Sequence, residues 1–460
     1  MKLSNICSAA IALALMAGLS SCNLYKKYEL TDETAIINDY RKALEAPVDS
    51  TSLPYLGWKQ VFTDPQLQSL IQMALDNNKN LKNAMLNIDI ARAQLKGAKL
   101  SYFPSVALTP NGGTASYGGS HMNWSYTIPL AVNWEIDAFA KILNRKRGAK
   151  VGVEMAQDYA AAARSQIVCG VASTYYALVL LNQQLGLTQR TAIIWKDQVE
   201  AMKLMKEAGM VNAAGVAQSE ANYYSIMASI PDLEQQIRVT QNTLSLLLNT
   251  YPQEWQVTSN LDFDIPSALI DGLPINYLAV RPDVAAAERN MASAYYSLNS
   301  AKANFYPSLT ISAQGGFTNL LGSIVSNPGK WFVQLAGSLA APIFSRGQNI
   351  ATLEAAKANR QIALNDFEYA VLNASAEVSD AMIKYHKNAD KKVQVDKQIE
   401  SLEKSVEYTQ ELLTFNQSTT YLEVLTARSQ LLQAQLAGLS CWHNKVTALI
   451  DLYQAAGGGR

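Results

Sequence analysis

Two stretches of this chain are too long and too free of proline for an ordinary globule. Lys141 to about Ala208 contains no Pro, and neither does Gly347 to about Asn416. Proline is the strongest interrupter of a helix. At 1.5 Å per residue, each stretch predicts a helix of about 100 Å, several times the usual length. Each is followed by a shorter partner: Ala217 to about Asn249, expected to break at Pro231, and Tyr421 to about Gln454. Leu422, Leu425, Leu432, Leu436 and Leu439 recur at spacings of three, four and seven, the pattern of helices packed along their length. The other faces are polar but weakly charged. Such helices should bury two narrow seams each, as in the wall of a tube.

Between the helices the period changes to two. From Tyr126 the even positions read Tyr126, Ile128, Leu130, Val132, Trp134 and Ile136, and the odd ones Thr127, Pro129, Ala131, Asn133, Glu135 and Asp137. Further on, Trp331, Val333, Leu335, Leu339 and Ile343 alternate with Gln334, Ala336, Ser338 and Ala340. Shorter partners precede each run, around Val106 and Leu108 and around Leu309 and Ile311. Gly112-Gly113, Gly118-Gly119 and Asn327-Pro328-Gly329 supply turn signals. A sheet with one face on a soluble core would alternate in the same way. Strands of about ten residues with an apolar, aromatic-rich face also fit a transmembrane barrel. Two hairpins make only four strands, and a bilayer does not tolerate open sheet edges. A membrane reading therefore demands closure by other chains.

The chain is built twice. Ala98-Lys99-Leu100-Ser101-Tyr102-Phe103-Pro104-Ser105 is echoed by Ala301-Lys302-Ala303-Asn304-Phe305-Tyr306-Pro307-Ser308, and Phe139-Ala140-Lys141 by Phe344-Ser345-Arg346. In each copy a helix ends before Pro and strands begin.

Charged residues are 17% of the chain against a typical share of about 25%. Lys+Arg and Asp+Glu are both 38, so nothing suggests nucleic-acid binding. Three His leave little for a metal centre, and Met202, Met205 and Met210 at helical spacing read as core filler. His121, His386 and His443 are scattered. No metal-ligand pair, phosphate loop or nucleophile elbow is present. No catalytic residue, metal or dissociable cofactor is expected.

Met1-Lys2 and the apolar run Ile6 to Leu19 have the form of a signal peptide, too short to span a bilayer. The run ends in Leu19-Ser20-Ser21-Cys22, which resembles a bacterial lipobox. Residues 1–21 are then the signal, and Cys22 carries the covalent lipid. Asn23, rather than Asp, favours outer-membrane sorting by the same resemblance. Cys7 leaves with the signal. Cys169 and Cys441 lie in helical stretches at different expected heights, so both are expected as free, buried thiols.

Several strings are similar to the TolC-type outer membrane efflux proteins, in particular the lipid-anchored OprM/NodT branch. Leu56-Gly57-Trp58-Lys59-Gln60-Val61-Phe62-Thr63-Asp64-Pro65-Gln66-Leu67 resembles the family's opening helix. Leu278-Ala279-Val280-Arg281-Pro282-Asp283-Val284 resembles the start of its second repeat, and Tyr421-Leu422-Glu423-Val424-Leu425 the turn into its last long helix. The resemblance implies a membrane α+β fold in which three protomers each give four strands to a 12-stranded β-barrel, continuous with a periplasmic α-helical barrel. It divides the chain into a lipid-anchored segment 22–64, a first repeat 65–275 with its hairpin near 103–138, and a second repeat 276–460 with its hairpin near 306–345. Residues near 40–65, 250–275 and the C-terminus would form a belt around the tube. The implied function is a passive exit duct in the outer membrane for drugs, toxic compounds or metal ions. A periplasmic adaptor and an inner-membrane pump, commonly of the resistance–nodulation–division type, would deliver them. A type I protein-secretion duct shares the fold and is the alternative; an enzyme or scaffold lipoprotein would leave the hairpins unexplained.

On this resemblance the even positions Tyr126 to Ile136 face lipid and the odd ones the lumen. Glu423 and Thr426 fall at the periplasmic aperture, where the family sets acidic residues. Three copies of Glu423 would form a carboxylate ring, unless Glu423 only stabilises a helix N-terminus. Tyr and Arg residues that close the aperture elsewhere in the family are replaced by Thr414 and Thr419.

Overall fold

The computed structural model describes residues 26–30, 34–47, 52–115, 123–259, 261, 263, 277–321, 324–415 and 421–459. Its helices are α1 (Ala35–Glu45), α2 (Trp58–Val61), α3 (Pro65–Asn77), α4 (Lys79–Leu100), α5 (Lys141–Glu207), α6 (Ala213–Leu247), α7 (Tyr277–Val280), α8 (Pro282–Ala303), α9 (Gln348–Phe415) and α10 (Tyr421–Ala455). The strands are β1 (Ser105–Leu108), β2 (Asn111–Ala115), β3 (Asn123–Ile136), β4 (Ser308–Leu321) and β5 (Ile324–Ala340). The duplication is visible in the lengths: α4 and α8 have 22 residues each, α5 and α9 have 67 and 68, and α6 and α10 have 35 each. Of the described residues, one compact unit contains all the strands and those of 26–30, 86–157 and 286–369; the other contains those of 34–85, 158–285 and 370–459.

The sheet runs β1-β3-β4-β5, with β2 also beside β3, all antiparallel. β1 and β2 are one strand interrupted once. Ser105 faces Asn133 and Asn111 faces Thr127, a single register carried across the gap. The gap falls at Thr109-Pro110, opposite Pro129 and Ile128, where neither proline has an N–H to give to the ladder. The Thr109 amide still donates to the Pro129 carbonyl at 3.2 Å. In effect there are four strands. Their outer edges, β1/β2 and β5, have no strand neighbour among the described residues.

Three local expectations are corrected. Gly112 and Gly113 lie in β2 and pair with Tyr126 and Ser125, so they are not a turn. Asn327-Pro328-Gly329 sits within β5: pairing shifts between Thr318 and Leu320, and residues 326–329 bulge outward. The Gly329 amide, where a Cβ would strike the Thr318 carbonyl, donates to the Tyr126 hydroxyl. Pro231 does not break its helix, since α6 runs through it. Pro231 and Met227 are on the exposed side, so the carbonyl that loses its donor there can be hydrated.

The corner from sheet to helix has the same form in both copies. Ala140 precedes α5 with φ +57°, and Arg346 and Gly347 precede α9 with φ +50° and +77°. Asp137 then caps α5, accepting from the Ile142 and Leu143 amides at 2.9 and 2.7 Å. Phe139 stacks on Tyr306 across the corner, 5.0 Å between ring centres.

In the other unit, one core gathers residues distant in sequence. Leu53, Phe62, Leu67 and Ile71 pack with Ile167 to Val179 of α5, Leu244 and Leu248, Phe263, and Val446 to Ala455 at the end of α10. These include the segments expected in the belt. Cys169 and Cys441 are buried and free. Burial, with Asp451 nearby, pushes the Cys169 thiol up to about 12, so almost no reactive thiolate exists near neutral pH. The native protein should therefore take up no alkylating label at Cys169 at pH 8. The denatured, unreduced mature chain should take two; mass spectrometry reads both, and fewer than two would contradict the free-thiol assignment.

Candidate functional site

The apolar face of the sheet is continuous. Val106 and Leu108 lie opposite Val132 and Leu130; Ile128 faces Phe317, Trp134 faces Ile311, and Ile136 faces Leu309. The row continues into β5 with Phe317 opposite Trp331, Ala313 opposite Leu335 and Leu309 opposite Leu339. Tyr126, Ile128, Leu130 and Trp134 are exposed, as are Val333 and Leu335, while Val132 and Ile136 are half-buried. A folded soluble chain does not leave such a surface bare. A tryptophan stands near each of its two ends. Trp124 is at one end, and the Phe317–Trp331 pair, 4.5 Å apart, lies level with Ile128 between the two. Trp134, whose indole donates to the Tyr102 carbonyl at 2.9 Å, is at the other. From Trp124 to Trp134 is about 34 Å along the strand, or about 26 Å of height at a tilt near 40°, matching the apolar band of a membrane barrel.

The opposite face is polar. Asn133 pairs with Ser312 and Glu135 with Thr310. Gln314 and Gln334 hydrogen-bond at 2.6 Å and Thr127 and Thr318 at 2.9 Å. Gly316 lies opposite Pro129, where an added Cβ would stand 2.0 Å from the Ile128 carbonyl oxygen; only glycine admits so close a strand approach.

Glu423 and Thr426 occupy the first two turns of α10 and are both exposed. The Thr426 hydroxyl is turned back onto the Leu422 carbonyl, 2.8 Å away. Thr414 lies in α9, and Thr419 falls outside the described residues. The polar links near this end come from residues the sequence did not single out. The buried Gln198 side chain of α5 hydrogen-bonds Tyr421. Arg428 stands beside Tyr421 and donates to Gln410 of α9 at 2.9 Å, and burial lowers its pKa. Gln and Tyr carry no charge signal in a sequence, which is why this set was not legible. Lys203 and Glu220 bridge α5 and α6 at 2.8 Å.

Arg281, from the Arg-Pro-Asp-Val string, is the most deeply placed of these charges. It is 6% exposed, donates to Asp283, to Glu377 at 2.7 Å and to the Ala455 carbonyl at 2.8 Å. Burial alone would raise the Asp283 carboxyl, but the Arg281 hydrogen bond and charge outweigh it and hold it below the usual range. Both carboxylates have a wet side, so the cluster ties the start of α8 to the end of α10 without forming a reactive centre. Met202 is buried core and Met210 is exposed, and His443 is a half-buried ring whose pKa burial lowers. His121 and Cys22 fall outside the described residues.

An apolar sheet face, a polar reverse and paired helices of nearly seventy residues define a membrane channel of the outer-membrane efflux kind. The sequence profile of the outer membrane efflux protein family matches residues 70–250 and 273–458, and the chain belongs to that family. It is similar to the probable efflux pump outer membrane protein TtgC of Pseudomonas putida strain KT2440, 26% identical across 99% of this chain and 96% of that one. The cation efflux system protein CusC of Escherichia coli O6:H1 is also 26% identical, over 88% of each chain. The solved outer-membrane channel OprN superposes with a TM-score of 0.83 at 24% identity, covering 95% of this chain and 99% of that one, a likeness of fold. The protein is thus an outer membrane efflux channel, and its family is one of channels, not enzymes.

Proposed function

We propose that three copies close a 12-stranded barrel in the outer membrane and that the molecule is the passive exit duct of a tripartite efflux system. The observation that carries this is the pairing of a continuous apolar face with two sheet edges that have no strand neighbour among the described residues. Lipid would cover the first, and only a strand from another copy can satisfy the second within a bilayer. Four strands each from three copies make twelve. Helices of 67 and 68 residues, about 100 Å at 1.5 Å per residue, supply a tube of periplasmic length. Such a tube would receive small molecules from an inner-membrane pump, of the resistance–nodulation–division type, through a periplasmic adaptor. Relatives named for toluene efflux and for cation efflux match at 25% and 26% identity. That supports a duct of low selectivity, with substrate choice in the pump. A lipid on Cys22 adds a second anchor.

Reconstitution in a planar bilayer tests the reading. The purified trimer should conduct, and a preparation that inserts without conductance would refute it. Glu423 at the periplasmic mouth should then set ion preference, because three carboxylates near one axis attract cations. Glu423→Gln keeps the shape and removes the charge. Cation selectivity and block by trivalent cations should both fall, with trimer yield unchanged. If both stay at the wild-type level, Glu423 is a helix-terminus residue only.

A further inference from the structure

The chain's own N-terminal segment is fastened to the strand-bearing unit at two backbone atoms. The Tyr28 amide donates to the Tyr296 hydroxyl of α8 at 3.0 Å, and Arg147 of α5 donates to the Lys26 carbonyl at 3.1 Å. Tyr28 also meets Tyr295 with its ring tilted, 5.8 Å between centres, and Tyr295 meets Tyr296 edge-on at 5.5 Å. Tyr296 is 7% exposed and so is a fixed partner, while Lys26 and Lys27 point outward. No helix or strand holds residues 26–30, so their placement depends on these contacts.

We propose that Arg147, Tyr295 and Tyr296 form a docking clip for residues 26–28, which fixes where the chain departs from its lipid anchor. Two lengths argue for this purpose. Cys22 stands four residues before Lys26, a reach of at most about 14 Å. Arg147 lies six residues beyond Lys141, about 9 Å down the helix that leaves the sheet. A clip at that height holds the acylated residue within reach of the membrane-facing end of the sheet. A looser strap would let the anchor and the sheet diffuse apart. The purpose rests on acylation at Cys22; the clip itself does not.

The two held atoms make the idea measurable. The Lys26 carbonyl belongs to the peptide bond that trypsin cuts after Lys26, and the Tyr28 amide to the bond cut after Lys27. A protease must draw both bonds into an extended, unfastened strand, so cleavage reports clip opening. Full-length membrane-extracted protein would be treated briefly with trypsin, and the peptides beginning at Cys22 quantified by mass spectrometry. Arg147→Gln with Tyr296→Phe should release them about tenfold faster or more, the factor expected for two hydrogen bonds to backbone. Tyr296→Phe alone, which keeps the ring, should give about fivefold. Cleavage at other lysines should not change, which shows that the fold is intact. Equal release from wild type and both variants would overturn the clip. The mass of the released peptide tests the lipid separately. Faster release of a peptide without acyl groups would sustain the clip and refute acylation at Cys22.

Discussion

Ile128→Arg and Leu130→Arg should each cost about 2–4 kcal/mol per protomer and sharply reduce assembled trimer, whereas Asn133→Arg should leave assembly intact and change conductance. All three residues lie on β3 within a few positions of one another, so local strand propensity cannot separate them. What separates them is the face. Ile128 and Leu130 lie in the row shared with Leu108, Phe317 and Trp331, while Asn133 lies opposite Ser312 in the polar row. An arginine in the first row must take its guanidinium into the middle of an apolar band about 25 Å tall, too far from either interface to snorkel fully. In the second row it meets water and polar side chains. The measurement is the trimer fraction on native gels after expression, with single-channel recording for Asn133→Arg. Equal loss of trimer from both faces would remove the basis for placing lipid on the even positions.

The features legible in the sequence were those with a period. Pro-free runs gave α5 and α9 to within a residue or two, and alternation assigned the two faces of β3, because each rests on a repeat sustained over many residues. Single-residue signals misled where tertiary context outvoted them. Asn327-Pro328-Gly329 has turn chemistry, yet pairing to Thr318 on one side and Leu320 on the other turns it into a bulge. Pro231 was expected to end a helix, and exposure let the helix continue. Near the start of α10, Gln198, Tyr421, Gln410 and Arg428 are seven to over two hundred residues apart and have no common pattern. Only the folded helices bring them together. Gly457-Gly458-Gly459 at the tail has no pattern either, and in the structure it is buried.

That tail carries the second large effect: Gly458→Ala should destabilise the protein by about 2–3 kcal/mol, the range for forcing a methyl into a filled core. A Cβ at 458 would lie 2.2–2.5 Å from three ring atoms of Tyr453. The ring has nowhere to go. Tyr453 is fully buried, meets Phe62 edge-on at 5.8 Å, and donates its hydroxyl to the Leu56 carbonyl at 2.8 Å. Moving it loosens the segment around Leu56, and it also disturbs the Gly458 carbonyl that accepts from Ser165 of α5. Positive φ belongs to Gly457 and Gly459, not to Gly458, so alanine's penalty there is steric and not conformational. A double-mutant cycle isolates it. In a Tyr453→Ala background, itself costly, the further change Gly458→Ala should cost little, because the atoms it strikes are gone. Gly170→Ala is the opposite control. It lies inside α5 with nothing within 4 Å of an added Cβ, and should stabilise by about 0.5–1 kcal/mol. Thermal or urea unfolding of the wild type and the four variants reads all of this. If Gly458→Ala melts with the wild type, or costs as much without the Tyr453 ring as with it, the tail is not wedged against that ring.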